Sequence, residues 1–242
     1  MEETYSIPTT SPATINKLKR FVPRPVKHAV KEALRERRFR HALQSITKLR
    51  EGEIPSRDQL IELQSGWGNE GFSAKYDYLE EVITRAATTT GPILECGSGL
   101  TSILLGLMAG RRGIEIWSLE HIPEWHARLG TILQQHRIQG VNLCLAPLRE
   151  YEGFSWYAPP LDTFPNNFSL VICDGPPGNT PGGRYGLLPL LSSYLSAEAL
   201  ILLDDANRAG ETETLNRWIA ENNMSVAVRE TPTGAFALVT YV

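Results

Sequence analysis

Long apolar runs are missing from this sequence: none approaches the ~18–20 residues of a membrane span, so no spanning helix is expected. The opening stretch, MEETYSIPTTSPAT, lacks the basic-then-apolar order of a secretory signal. Cysteine is scarce. The three present, Cys96, Cys144 and Cys173, each fall at or near the end of a strand-like run, with a spacing that fits neither a zinc site nor a disulfide framework. They are expected to be buried, reduced thiols, and the protein to be cytoplasmic. Internal repeats are also lacking.

What is present is a divided charge. The formal net charge of −3 splits into twelve Lys/Arg against four Asp/Glu in residues 1–50, and twelve against twenty-three in residues 51–242. A basic N-terminal segment therefore precedes an acidic body long enough to bury a sizeable core. Residues 1–14, polar with two prolines, are expected to be a disordered tail. Residues 15–90 form a basic helical extension ending in a glycine-rich loop, with helices expected over Val26–Arg50 and Lys75–Ala87. In the first of these, Phe39, Ala42, Leu43, Ile46 and Leu49 recur at helical spacing.

From residue 91 to 242 strand-like runs alternate with helical stretches: PILEC, IEIWSLE, VNLCLA, FSLVICD, ALILLDD, MSVAVRE and AFALVTYV. Helices are expected between the first five runs and before the sixth, one of them opened by Pro123 at a first-turn position. This alternation predicts a parallel sheet covered on both faces. The last two runs are joined only by TPTG and should form an antiparallel hairpin.

The first run leads into ILECGSGLTSILLG, Ile93 to Gly106. A dinucleotide turn wants a third glycine for close helix–strand packing beside a pyrophosphate, and Ser102 stands there instead. Glu95, just before the turn, suits a ligand with a positive end better than a pyrophosphate. S-adenosylmethionine is such a ligand, and Gly97 and Gly99 would let it approach the backbone. Glu120 ends the second run 21 residues after Gly99, where a carboxylate can accept hydrogen bonds from both hydroxyls of a ribose. Open α/β sheets bind ligands at these strand ends.

On LECGSG and SLEH the chain resembles the class I S-adenosylmethionine-dependent methyltransferases over about residues 91–242. The resemblance implies a Rossmann-like α/β fold, a doubly wound, mostly parallel seven-stranded sheet closed by a C-terminal hairpin. It also implies that Ala146 or Leu148, in CLAPLREY, packs near adenine. Trp67, Asn69 and Ser73, in the loop before the first strand, would cover the methionine end of the cofactor or simply pack between domains.

The fourth run ends in DGPPGNTPGGRYG and the fifth in LLDDANR. Asp174, Asp204 and Asp205 should therefore converge, and converging carboxylates repel. A divalent cation such as magnesium would relieve this and could lower a hydroxyl's pKa. The arrangement resembles the metal-dependent small-molecule and sugar O-methyltransferases, although DGPPG is not their usual fourth-strand sequence. The alternatives are solvated acids with Asp205 capping the next helix, or Asp174 acting as a metal-free general base. His121 is either a second candidate base or a pocket-wall residue. Trp156 and Tyr157 either stack on a substrate or form a loop's packing core. The expected reaction is O-methylation of a small-molecule or saccharide hydroxyl. An N-methyltransferase and a non-catalytic cofactor-binding module remain as alternatives.

The basic residues 17–50 allow three partners: the acidic body itself, an anionic membrane surface, or nucleic acid. The last is disfavoured because no recognised nucleic-acid motif accompanies the charge.

Overall fold

The computed structural model describes residues 24–68 and 74–242. The expected tail at 1–14, and Asn69 and Ser73, lie outside the described residues. Among the described residues three helices come first: α1 (Arg24–Thr47), α2 (Arg57–Trp67) and α3 (Tyr76–Thr88). Of these, α2 was not expected. Its signal was the S-x-x-Q of a capping box: Ser56 Oγ accepts from the Gln59 N–H and Gln59 Oε1 accepts from the Ser56 N–H.

Next come β1 (Ile93–Cys96), α4 (Leu100–Met108), β2 (Ile116–Glu120), α5 (Pro123–Gln135) and β3 (Val141–Leu145). Pro123 opens α5 as expected. Every residue of α4 is buried, which fits its apolar character all round. The third crossover departs from expectation. In place of a helix it holds a hairpin, β4 (Leu148–Tyr151) and β5 (Phe154–Tyr157), with Gly153 at φ 83° in the turn. Here Trp156 and Tyr157 supply bulk that buries into the sheet's core. The chain continues through β6 (Phe168–Cys173), a five-residue helix α6 (Leu187–Leu191), β7 (Leu195–Leu203), α7 (Ala209–Glu221), β8 (Met224–Thr231) and β9 (Gly234–Tyr241).

The seven-stranded sheet runs in the order β3-β2-β1-β6-β7-β9-β8. Its first five strands pair in parallel, while β9 is antiparallel to both β7 and β8. This is the Rossmann-like methyltransferase architecture, with its C-terminal hairpin. Alternate side chains feed two cores. Ile93, Ile116 and Leu202 face helices α1–α5, with Phe39, Leu63 and Tyr78 of the N-terminal helices in the same cluster. Leu94, Leu119 and Leu203 face α6, α7 and the β4–β5 hairpin. The two strands that flank the change of direction, β1 and β6, are adjacent, and ligands bind outside their carboxyl ends in such sheets.

Of the cysteines, Cys96 and Cys173 are buried neighbours on β1 and β6, and Cys144 is only half-buried; all three are free. No helix among the described residues is long and apolar enough to cross a membrane.

Candidate active site

A cavity of about 620 Å³ opens at the carboxyl ends of the parallel strands. One wall is the Gly97–Ser98–Gly99 turn. Gly97 has φ 95°, in the region that favours glycine, and a Cβ there would sit 3.0 Å from the Gly175 backbone nitrogen. A Cβ on Gly99 would meet nothing within 4 Å. The turn is thus pressed against the β6 loop on one side and open to the cavity on the other.

Glu95 does not line the cavity. It is fully buried behind the turn, where its carboxylate accepts from the hydroxyls of Thr101, Ser102 and Ser118. Ser102 Oγ in turn accepts the Gly99 N–H at 3.0 Å. The absent third glycine therefore has a reason: its position carries the hydroxyl that ties the turn to Glu95. Burial raises the Glu95 pKa to about 7, the three hydroxyls holding it back. Its role is to set the shape of the turn, not to meet a ligand's positive end.

Glu120 does reach the cavity wall. Its Oε2 accepts from Ser98 Oγ at 2.8 Å and its Oε1 from the Ile122 N–H at 2.8 Å. His121 lies beside it, with Nδ1 3.3 Å from Glu120 Oε1 and its ring edge-on to Tyr157. Trp67, the last residue of α2, also lines the cavity and stands edge-on to Trp125 of α5, whose indole N–H donates to Ser98 O at 3.0 Å. Ala146 and Leu148 are placed elsewhere. The backbone after β3 turns straight into β4, so Ala146 is buried in the core and Leu148 faces a separate hollow of about 470 Å³. That hollow shares His121 and Pro177 with the main cavity.

At the ends of β6 and β7, lining the same cavity, Asp174, Asp204 and Asp205 converge, each with a carboxylate oxygen within 4.8 Å of the others. Sequence reasoning missed the residue that sits among them. Arg184, from the GGRYG loop, is 2% exposed; it lies 3.1 Å from Asp174 Oδ1 and 3.2 Å from Asp205 Oδ2. It also donates to the carbonyls of Asp174 and Asp204 and lies 3.7 Å from the buried Glu211. Arg208 adds a second cation, 2.7 Å from Asp205. Asp205, at φ 56°, points back to these arginines; it does not cap α7, whose N-cap residue is Arg208. Burial and the Asp204 carboxylate push the Asp174 pKa well above the usual carboxylate range, while Arg184 pulls it back. Burial and Asp205 push Asp204 to about 6. A basic residue in the same Gly/Pro-rich loop as the acids was the available signal, and only the tertiary fold shows which way it turns.

No family model matches the chain, and no curated protein matches its sequence. Solved structures do match in fold. A methyltransferase of Podospora anserina bound to S-adenosylhomocysteine, PaMTH1, is 15% identical with a TM-score of 0.53, over 99% of this chain and 100% of that one. The precorrin-6y C5,15-methyltransferase of Geobacter metallireducens is 14% identical with a TM-score of 0.51, over 70% of this chain and 90% of that one. An S-adenosylmethionine-dependent O-methyltransferase of Thermotoga maritima is 12% identical with a TM-score of 0.51, over 78% and 72% respectively. At these identities the likeness establishes the methyltransferase fold.

Proposed function

We propose that this protein is an S-adenosylmethionine-dependent methyltransferase acting on a hydroxyl of a small molecule or saccharide, with Asp174 accepting the proton and no divalent metal taking part. One arrangement carries the reading: the Gly97–Gly99 turn, the Glu120 carboxylate and Asp174 line one cavity. The cavity fits the cofactor. Gly99 leaves its wall open, and Glu120 can accept from ribose hydroxyls. When bound, S-adenosylmethionine supplies a methyl group already activated by its sulfonium. The chain's part is then to position an acceptor and to take up its proton at Asp174. Among proteins of this fold, the O-methyltransferase of Thermotoga maritima supports the choice of a hydroxyl.

Magnesium suits the three carboxylates as donors, but Arg184 already touches two of them. A guanidinium in that place relieves the repulsion that a metal would otherwise answer, so we assign the countercharge to Arg184. No step is routed through a metal.

Calorimetric titration with S-adenosylhomocysteine tests the cofactor. Micromolar binding weakened by Glu120→Ala is expected; no binding at all would overturn the reading. Activity is expected to be the same in magnesium and in EDTA. A magnesium heat in the native protein that Asp204→Ala abolishes would restore the metal. Asp174→Asn is expected to lower kcat by about 10²–10⁴ at nearly unchanged cofactor affinity. In the native enzyme the rate should fall as pH drops through the raised pKa of Asp174, because a protonated carboxyl cannot accept the proton. Turnover on amines alone would make it an N-methyltransferase, and binding without turnover on any acceptor would make it a cofactor-binding module.

A further inference from the structure

Helix α1 has two apolar faces on opposite sides. In its C-terminal half Phe39, Ala42, Leu43 and Ile46 are buried against the body. Continuing that face toward the N-terminus at helical spacing gives Arg35, Glu32 and His28, which are polar. The apolar residues of the N-terminal half, Val26, Val30 and Leu34, recur every fourth position and lie on the other side. They are 47%, 52% and 61% exposed. The polarity of the helix thus inverts midway, which packing onto the body does not explain.

Cations surround this stripe. Lys27, Lys31, Arg37 and Arg38 line a groove of about 1150 Å³ together with Val30 and Leu34. Arg35, the fifth cation of that groove, pairs with Glu32 at 3.1 Å, and the groove's own carboxylate, Glu62, lies 3.5 Å from Arg38. Lys17, Lys19 and Arg20 precede the helix in sequence.

We propose that the N-terminal half of α1 docks on an anionic lipid surface, with Val26, Val30 and Leu34 entering the headgroup boundary and the flanking cations engaging acidic headgroups. An in-plane amphipathic helix needs this combination of an apolar stripe and cations whose aliphatic stems can run along the lipid surface. A second copy of the chain would bring five cations against five. Nucleic acid would use the cations and leave the apolar stripe in water.

The test is flotation of the full-length protein with phosphatidylcholine vesicles, with and without phosphatidylglycerol. Binding is expected only with phosphatidylglycerol, falling as salt rises. Leu34→Glu and Val30→Glu should each weaken it by about tenfold with an unchanged melting temperature, since both side chains are exposed. Lys27→Glu with Lys31→Glu should weaken it and flatten the salt dependence. Four outcomes would overturn the proposal. These are equal binding to neutral vesicles or none to either, binding indifferent to Leu34→Glu, and a dimer that Leu34→Glu dissociates. Tight RNA binding unaffected by Leu34→Glu would instead mark a nucleic-acid surface.

Discussion

Two sets of carboxylates stand at the carboxyl end of the sheet, one fully buried and one partly exposed, and they are held by different means. Behind the glycine turn, Glu95 is surrounded by neutral hydroxyls. At the ends of β6 and β7, the carboxylates of Asp174 and Asp205 pair with the guanidinium of Arg184, which also donates to the Asp204 carbonyl. Hydroxyl donors satisfy a carboxylate without supplying charge, so Glu95 can take a proton near neutral pH and keep its place. A buried guanidinium stays charged, so the acid cluster depends on it in every state. The first arrangement suits a fixed structural strut, the second a site where one acid must be able to gain and lose a proton.

Removing Arg184 should break the comparison most severely. Arg184→Ala leaves three converging carboxylates and the buried Glu211 without their central cation. Loss of one partner from a buried ion pair costs about 3–5 kcal/mol, to be read from denaturant unfolding. The penalty should grow as pH rises through the Asp204 pKa of about 6, because each newly ionised carboxylate adds repulsion. The same variant sharpens the assignment of countercharge. Magnesium should raise the melting temperature of Arg184→Ala and leave the native protein unchanged. An equal shift in both would show that the guanidinium and a metal do not compete.

Glu95 should show itself through pH. Its folded pKa of about 7 lies above the unfolded value near 4.5, so the folded chain holds a proton that the unfolded chain has released. Its contribution to stability is therefore full below the unfolded value and is lost as pH rises through the folded one. The size is at most about 3 kcal/mol. Asp174 and Asp204, also raised, slope the same way. In Glu95→Gln the shape is kept and the titration removed. Melting curves across this range should then flatten by the Glu95 share, and an unchanged slope would mean that Glu95 is ionised throughout.

Much of this was legible in the sequence because strands and glycine turns are written locally. The seven runs became seven strands of the sheet, and Gly97, Gly99, Glu120 and the three aspartates came to one cavity. What escaped depended on contacts between distant segments. Glu95 reads as a strand-end acid, but strand parity points it at α4, where Thr101 and Ser102 wait. Arg184 lies ten residues beyond Asp174 in a loop whose path no periodicity fixes. The β4–β5 hairpin hid behind aromatics that read equally well as a loop core.

The smallest predicted effect belongs to a third carboxylate, Glu120, which lies between the two extremes. It accepts one hydroxyl, from Ser98, and one backbone N–H, from Ile122. Both partners line the cavity, and Glu120, although only 4% exposed, lines it with them. Ser98→Ala removes only the hydroxyl. A hydrogen bond to a carboxylate contributes about 1.5–3 kcal/mol, and only the part of it that orients the carboxylate toward the ligand reads out in affinity. The expected result is a loss of roughly threefold to tenfold in S-adenosylhomocysteine affinity with a melting temperature close to that of the native protein. A drop in melting temperature without a change in affinity would place Glu120 with Glu95, as a strut of the turn, and would remove it from the ligand.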